Sequence, residues 1–264
     1  MTTEQTGSGD LARSLDLLWG TKEQPSRGPK PGLTLERIVS TAVALANSEG
    51  LTALSMRKVA AELGVGTMSL YRYVPGKGEL LDLMLDHVNA PGEDADRLSG
   101  KGWRTSMEQL ALDSWELYTG NPWLLQVNQV RPVLGPNSMA GFDLALASLH
   151  GIGLTGREKV GLLVAIDNYV VGAARAHVLH QQAAQQSGLS DEEFWATQEP
   201  YMIKAMETGV YPEIATLPDD TFTMTAYEAM RFGLEPLLDG FQAFIDRRGG
   251  EEEAADEGTG AAGR

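Results

Sequence analysis

The chain has no cysteine among its 264 residues. Disulfides and Cys-ligated zinc are thereby excluded, and the absence fits a reducing compartment. There is no signal peptide and no apolar run that reads as a bilayer span, so a cytoplasmic protein without membrane contact is expected. A glycine-rich phosphate loop, a nucleophile elbow and a metal-ligand cluster of useful spacing are all missing. The many Asp and Glu residues fall on faces expected to be solvated. Neither an enzyme nor a cofactor is expected. The alternation that builds strands is absent too, and no segment repeats. What remains is helical periodicity, in a chain whose hydrophobic content of 42% supports a real core.

Positive charge is also scarce, with a formal net charge of −15. Its distribution is uneven. Between Lys22 and Gly78 eight basic residues face four acidic ones, which makes that segment +4 and the rest −19. Salt confines charge interactions to about 10 Å, so a local basic patch can still bind phosphate. The acidic remainder should suppress non-specific binding to nucleic acid.

The patch overlaps the most ordered pattern in the chain, residues 34–90. Thr34 is an N-cap, followed at helical spacing by Leu35, Ile38, Val39, Ala42, Leu45 and Ala46, with Gly50 as the stop. Ser55 caps a second helix built on Met56, Val59, Ala60 and Leu63. Gly64 permits a sharp turn. A third helix runs from about Thr67 to Val74, with Leu70 and Val74 inward, and Pro75-Gly76 ends it. A fourth carries Leu80, Leu81, Met84, Leu85 and Val88. The third helix has few apolar residues and shows Tyr71, Arg72 and Tyr73. Two aromatics and an Arg in succession after a glycine turn suit a helix that enters the DNA major groove, rather than a merely solvated one.

The block Ser55-Met56-Arg57-Lys58-Val59-Ala60, Leu63-Gly64-Val65, Ser69-Leu70-Tyr71-Arg72-Tyr73, Lys77 and Glu79-Leu80-Leu81 resembles the N-terminal domain of the TetR family of bacterial transcriptional repressors. Near the other end, Phe232-Gly233-Leu234-Glu235 and Leu238-Asp239-Gly240 look like the last helix of the tetracycline repressors. Leu18-Trp19-Gly20 and Arg27-Gly28-Pro29-Lys30-Pro31 are similar to actinomycete relatives that control antibiotic export. The resemblance implies that Thr67, Met68 and Ser69 touch base edges. It places Tyr71, Arg72 and Tyr73 on bases or phosphates, Arg57 with neighbouring Lys58 on DNA, and Lys77 on phosphate.

An all-α fold is expected. A three-helix helix-turn-helix domain (34–90) precedes a larger helical ligand-binding and dimerisation domain (103–248). Residues 1–33 read as a flexible arm, 90–102 as a hinge and 249–264 as a disordered acidic tail. Arg27 and Lys30 suit a minor-groove arm and a solvated linker equally. In the larger part, helices are expected over about 103–118, 139–150, 156–186, 194–208 and 222–248. The resemblance implies a homodimer packed through the two longest. Gly172 and Ala176 on one, with Met230, Gly233, Leu234, Leu237 and Phe241 on the other, are the expected contacts. A twofold dimer would read a palindromic operator on double-stranded DNA.

The resemblance also implies a small-molecule inducer held among the C-terminal helices. Candidates are Trp115, Tyr118, Trp123, Gln126, Phe142, Asn168, Tyr169 and Arg175, an aromatic-rich set that suits an aromatic or apolar ligand. Two departures stand out. Where tetracycline repressors use a histidine and a glutamate around a magnesium–drug complex, this chain has Val127 and Ala176, so that complex is not expected. His177 and His180 suit a solvated or interface pair better than a metal site. An activator or metabolic regulator of the same family reads alike in sequence. A helical carrier of small molecules would have no use for the 71–73 helix.

Overall fold

The computed structural model describes residues 4–20, 33–92 and 100–261. Among them the fold is all-α, apart from two two-residue strands, β1 (Glu4–Gln5) and β2 (Val127–Asn128), which pair in parallel. The helices are α1 (Leu11–Leu18), α2 (Leu35–Glu49), α3 (Met56–Glu62), α4 (Thr67–Tyr71), α5 (Lys77–Val88) and α6 (Trp103–Gly120). They continue as α7 (Pro136–Ala147), α8 (Gly156–Ser187), α9 (Asp191–Glu207), α10 (Pro212–Ala215) and α11 (Ala226–Ala261). Local chemistry sets their starts. The hydroxyls of Thr34 and Ser55 accept the N–H groups of Arg37 and Lys58, and reciprocal Ser/Thr–Glu capping boxes open α8 and α9.

Two apolar cores result. The first gathers α2 to α5, and it also takes in Trp123, Leu124 and Val127 from the 3-10 turn Pro122–Gln126 and the residue after it. The second joins α6, α8 and α11 through Met107, Trp115, Ile166, Val170, Met230 and Leu234, with Ala145 and Leu149 from around the end of α7. Helix α5 is the junction. Every residue from Glu79 to Asp86 is buried, so the middle of α5 is packed on all sides. The centre of the expected hinge, 93–99, lies outside the described residues.

Three expectations change here. Residues 4–20 are not a free arm. Strand β1 pairs with β2, and α1 packs on α5, because Ser14 and the backbone of 7–10 satisfy buried acids on that helix. Arg27 and Lys30 lie outside the described residues. The expected disordered tail is largely helical, since α11 continues to Ala261; Glu251 to Ala255 are good helix formers, although glycines flank them. Finally, α8 is long and apolar enough to cross a membrane by length and composition. Its Leu162, Ile166, Val170 and Ala174 instead fill the second core.

Candidate functional site

The turn between α3 and α4 is a glycine-capped helix end. Gly64 sits at φ 67°, its N–H donates to the carbonyl of Ala61, and the Val65 N–H donates to that of Ala60. A side chain with a Cβ is strained at that φ, so Gly64 fixes the exit of α3. Helix α4 is shorter than expected. After Tyr71 the chain turns, with the Tyr73 and Val74 N–H groups both donating to the Leu70 carbonyl. Leu70 is the one buried residue of α4, and Val74 is buried just beyond it.

That anchoring decides what faces out. Met68 is 77% exposed, and Tyr71, Arg72 and Arg57 are exposed as well. Thr67 and Ser69 are half-buried at the same end, and the Arg72 guanidinium donates to the Ser69 hydroxyl at 3.4 Å. Tyr73 differs from its neighbours, because its ring packs against the first core. Lys58 pairs with Glu49 on α2. Lys77, at the first position of α5, pairs with Glu4 at 2.9 Å. The structure therefore leaves Arg57 on α3, Met68 and Tyr71 on α4 and Arg72 just after it exposed, with Thr67 and Ser69 half-buried. It gives both flanking lysines acidic partners.

The expected ligand residues are more scattered. Trp123 is 1% exposed and packs inside the first core. Gln126, Phe142 and Arg175 are exposed on separate elements. Trp115, on α6, lies against His177 on α8 and Tyr227 on α11, with ring centroids 5.4 and 5.6 Å away. Neither His177 nor Tyr227 stood out in sequence as a partner for it. The Tyr118 hydroxyl donates to Asp167 at 3.2 Å. Burial and the adjacent carboxylate push that phenol well above its usual pKa, so it stays a donor. Among the described residues no group of three or more His, Asp or Glu is placed to hold a metal.

Asn168 and Tyr169 line an open groove of 460 Å³ together with Gly172, Ala176, Ala229 and Met230. Residues expected at a ligand and residues expected at a dimer interface thus share one surface. The Tyr169 hydroxyl donates to the carbonyls of Ala229 and Met230 at 3.2 and 2.9 Å. Gly233 allows that approach, since a Cβ there would collide with the hydroxyl. Met230 and Leu234, expected at the dimer contact, face inward in this chain. Each is 1% exposed within the protomer, because closing α11 onto α6 and α8 uses that face of the helix. Leu237 and Phe241 pack at the edge of the same core.

A glycine-fixed helix-turn-helix on a bundle of long helices is the build of a DNA-binding regulator. Two family models match. The description "Bacterial regulatory proteins, tetR family" covers residues 38–84, and "Tetracyclin repressor-like, C-terminal domain" covers 98–245. The chain belongs to the tetR family of bacterial transcriptional regulators. It is 52% identical to the HTH-type transcriptional repressor DrrR1 of Streptomyces coeruleorubidus, over 95% of this chain and 92% of that one. It is 25% identical to the class E tetracycline repressor protein of Escherichia coli, over 82% and 94%. Apo ActR from Streptomyces coelicolor superposes with a TM-score of 0.64 at 26% identity, covering 83% of this chain and 99% of ActR.

Proposed function

We propose that the chain is a repressor that binds a palindromic operator as a homodimer and leaves it when a small molecule binds the C-terminal bundle. The observation that carries this reading is the α3–α4 unit. Leu70 anchors a helix whose Met68 and Tyr71 stay exposed, as do Arg72 just after it and Arg57 on α3. Arg57, Thr67, Met68 and Ser69 read base edges, Tyr71 and Arg72 meet bases or phosphates, and Lys58 and Lys77 meet phosphate. Tyr73 acts chiefly as a prop for α4. Repression, rather than activation, is supported by the similarity to DrrR1.

The dimer forms on the outward stripes of α8 and α11, not on the stripe that sequence periodicity favours. Gly161, Val164, Gly172, Ala176 and Leu179 are exposed along α8, and Phe232 on α11 is 72% exposed. Small residues between apolar ones let two helices approach closely. The Trp115–His177–Tyr227 cluster between α6, α8 and α11 suits an aromatic or apolar inducer. An inducer releases DNA only if it binds the DNA-incompetent arrangement more tightly. Control of export of, or resistance to, an antibiotic-like compound completes the reading.

Selection of genomic fragments by the purified protein at physiological salt tests all of this. One or a few palindromic sites are expected, with export-type genes beside them. Recovery without enrichment from a folded dimer would overturn the ligand-released repressor, and a monomer at micromolar concentration would overturn the dimer.

A further inference from the structure

Residues 4–19 form a strap that crosses from the DNA-binding helices to the ligand-binding body. On one side it holds α5. The Gly7 N–H donates to Asp82 Oδ1 at 2.9 Å, the Asp10 N–H to Glu79 Oε1 at 2.7 Å, and the Ser14 hydroxyl to Asp82 Oδ2 at 2.7 Å. The approach is close enough that a Cβ on Gly78 would collide with the backbone of Gly9. On the other side the strap holds the chain just before α7. Glu4 and Gln5 pair with Val127 and Asn128. The Thr6 N–H and hydroxyl donate to the carbonyls of Asn128 and Arg131 at 3.2 and 2.7 Å. The Trp19 indole donates to that of Leu134 at 3.1 Å.

At the tip of this strap, Glu4 Oε1 accepts from the Lys77 ammonium at 2.9 Å. We propose that Glu4 is a built-in competitor for the operator phosphate at Lys77, seated by the strap and therefore coupled to residues 127–134. The inference rests on the reading of Lys77 as a phosphate contact. A carboxylate offers an ammonium the same anionic oxygens as a phosphate, and one lysine cannot serve both at full strength. Most exposed ion pairs are weak because two free side chains must be ordered to form them. Here the backbone of Glu4 is already fixed by strand pairing. Because Glu4 lies directly beside Val127, any shift of that segment moves the competitor relative to Lys77. The strap thus offers a physical route from the ligand-binding body to one phosphate contact.

The test uses the full chain and the operator recovered from genomic selection. Glu4→Gln should tighten operator binding about two- to fivefold, the range open to a partly exposed pair. It should also steepen the dependence of log K on log salt by about one, the signature of one more phosphate neutralised. In a Lys77→Gln background the same change should do nothing. That background separates competition from simple removal of a negative charge near DNA, which would act with or without Lys77. Since the chain has no cysteine, a Gln5→Cys/Asn128→Cys disulfide can lock the strap. The oxidised form should bind operator more weakly than the reduced form, and Glu4→Gln should remove the difference. Unchanged affinity and salt slope in Glu4→Gln, with binding still weakened by Lys77→Gln, would overturn the proposal and leave the Lys77 contact standing. Unchanged binding in Lys77→Gln would overturn the contact itself, and the competitor with it.

Discussion

Leu70 and Met68 stand two residues apart on α4, have similar volume, and have opposite surroundings. Leu70 is fully buried and Met68 is 77% exposed. Truncating each to alanine should therefore separate folding from DNA reading. Leu70→Ala removes a side chain packed against the first core and leaves a cavity. Lost burial and the cavity together put the cost at about 2–5 kcal/mol. The upper part of that range is expected, since α4 has no other buried side chain to hold it on the first core. Met68→Ala removes no packed surface, so stability should stay within about 0.5 kcal/mol. Its operator affinity should fall by about 1 kcal/mol, roughly fivefold, through lost contact with base methyl groups.

Chemical denaturation would give the stabilities, and titration of operator DNA at fixed salt the affinities. Amide exchange across residues 67–74 would show whether Leu70→Ala frees the helix locally before the body unfolds. If Leu70→Ala cost under about 1 kcal/mol, α4 would not be anchored as described. If Met68→Ala bound every sequence like the parent, the outward end of α4 would not read DNA.

Other consequences follow from single sites. Burial raises the Asp82 pKa above the ordinary 3.8, while the Gly7 and Ser14 hydrogen bonds pull it down and Glu79 pushes it up. The folded state then binds more protons than the unfolded one just above 3.8, so stability should fall as pH rises through that window. Asp82→Asn, which can still accept from Gly7 and can donate to Ser14, should flatten that dependence in thermal melts. Gly233→Ala should destabilise the chain by about 1–3 kcal/mol through collision with the Tyr169 hydroxyl, outweighing the helix propensity gained. In a Tyr169→Phe background that penalty should shrink by at least about 1 kcal/mol; an equal penalty would show that the hydroxyl is not the obstacle. Arg57→Ala should relax base preference, whereas Lys77→Ala should weaken binding to all sequences alike; operator and mismatched DNA titrated side by side would tell them apart.

The DNA-reading unit was legible in sequence because its determinants are local. The Thr34 and Ser55 caps, the Gly64 turn and the inward Leu70 and Val74 each act within a few residues of themselves. The stripe on α11 was legible only as a stripe. Periodicity shows that Met230, Leu234 and Leu238 share a face, but not whether α8 of the same protomer or a partner covers it. The strap was invisible for a different reason. Thr6 bonds to a backbone carbonyl 122 residues away and Gly7 to a carboxylate 75 away. Backbone acceptors leave no mark in the sequence. The acids did leave one. Glu79, Asp82 and Asp86 share a face of α5, and their spacing was available, yet acids on an otherwise amphipathic helix read as solvated.

Those acids also explain why α5 can be the junction. A helix buried on every side has to satisfy polar groups it cannot expose. Glu79 and Asp82 do so with strap donors, and Asp86 accepts the N–H groups of Asn137 and Ser138 at the start of α7. The last arrangement sets a negative charge at a helix N-terminus, where it is favoured. Helix α5 begins at Lys77, on the DNA side, and meets α7 near its other end. A rearrangement of the ligand-binding body that moved the start of α7 would either carry α5 along or leave Asp86 buried without donors. The second course costs about 1–3 kcal/mol or more for a charged group. Moving α5 as a rigid lever is therefore the cheaper response, and Lys77 moves with it. The carboxylates that sequence assigned to solvent are what make the two halves of this regulator mechanically one.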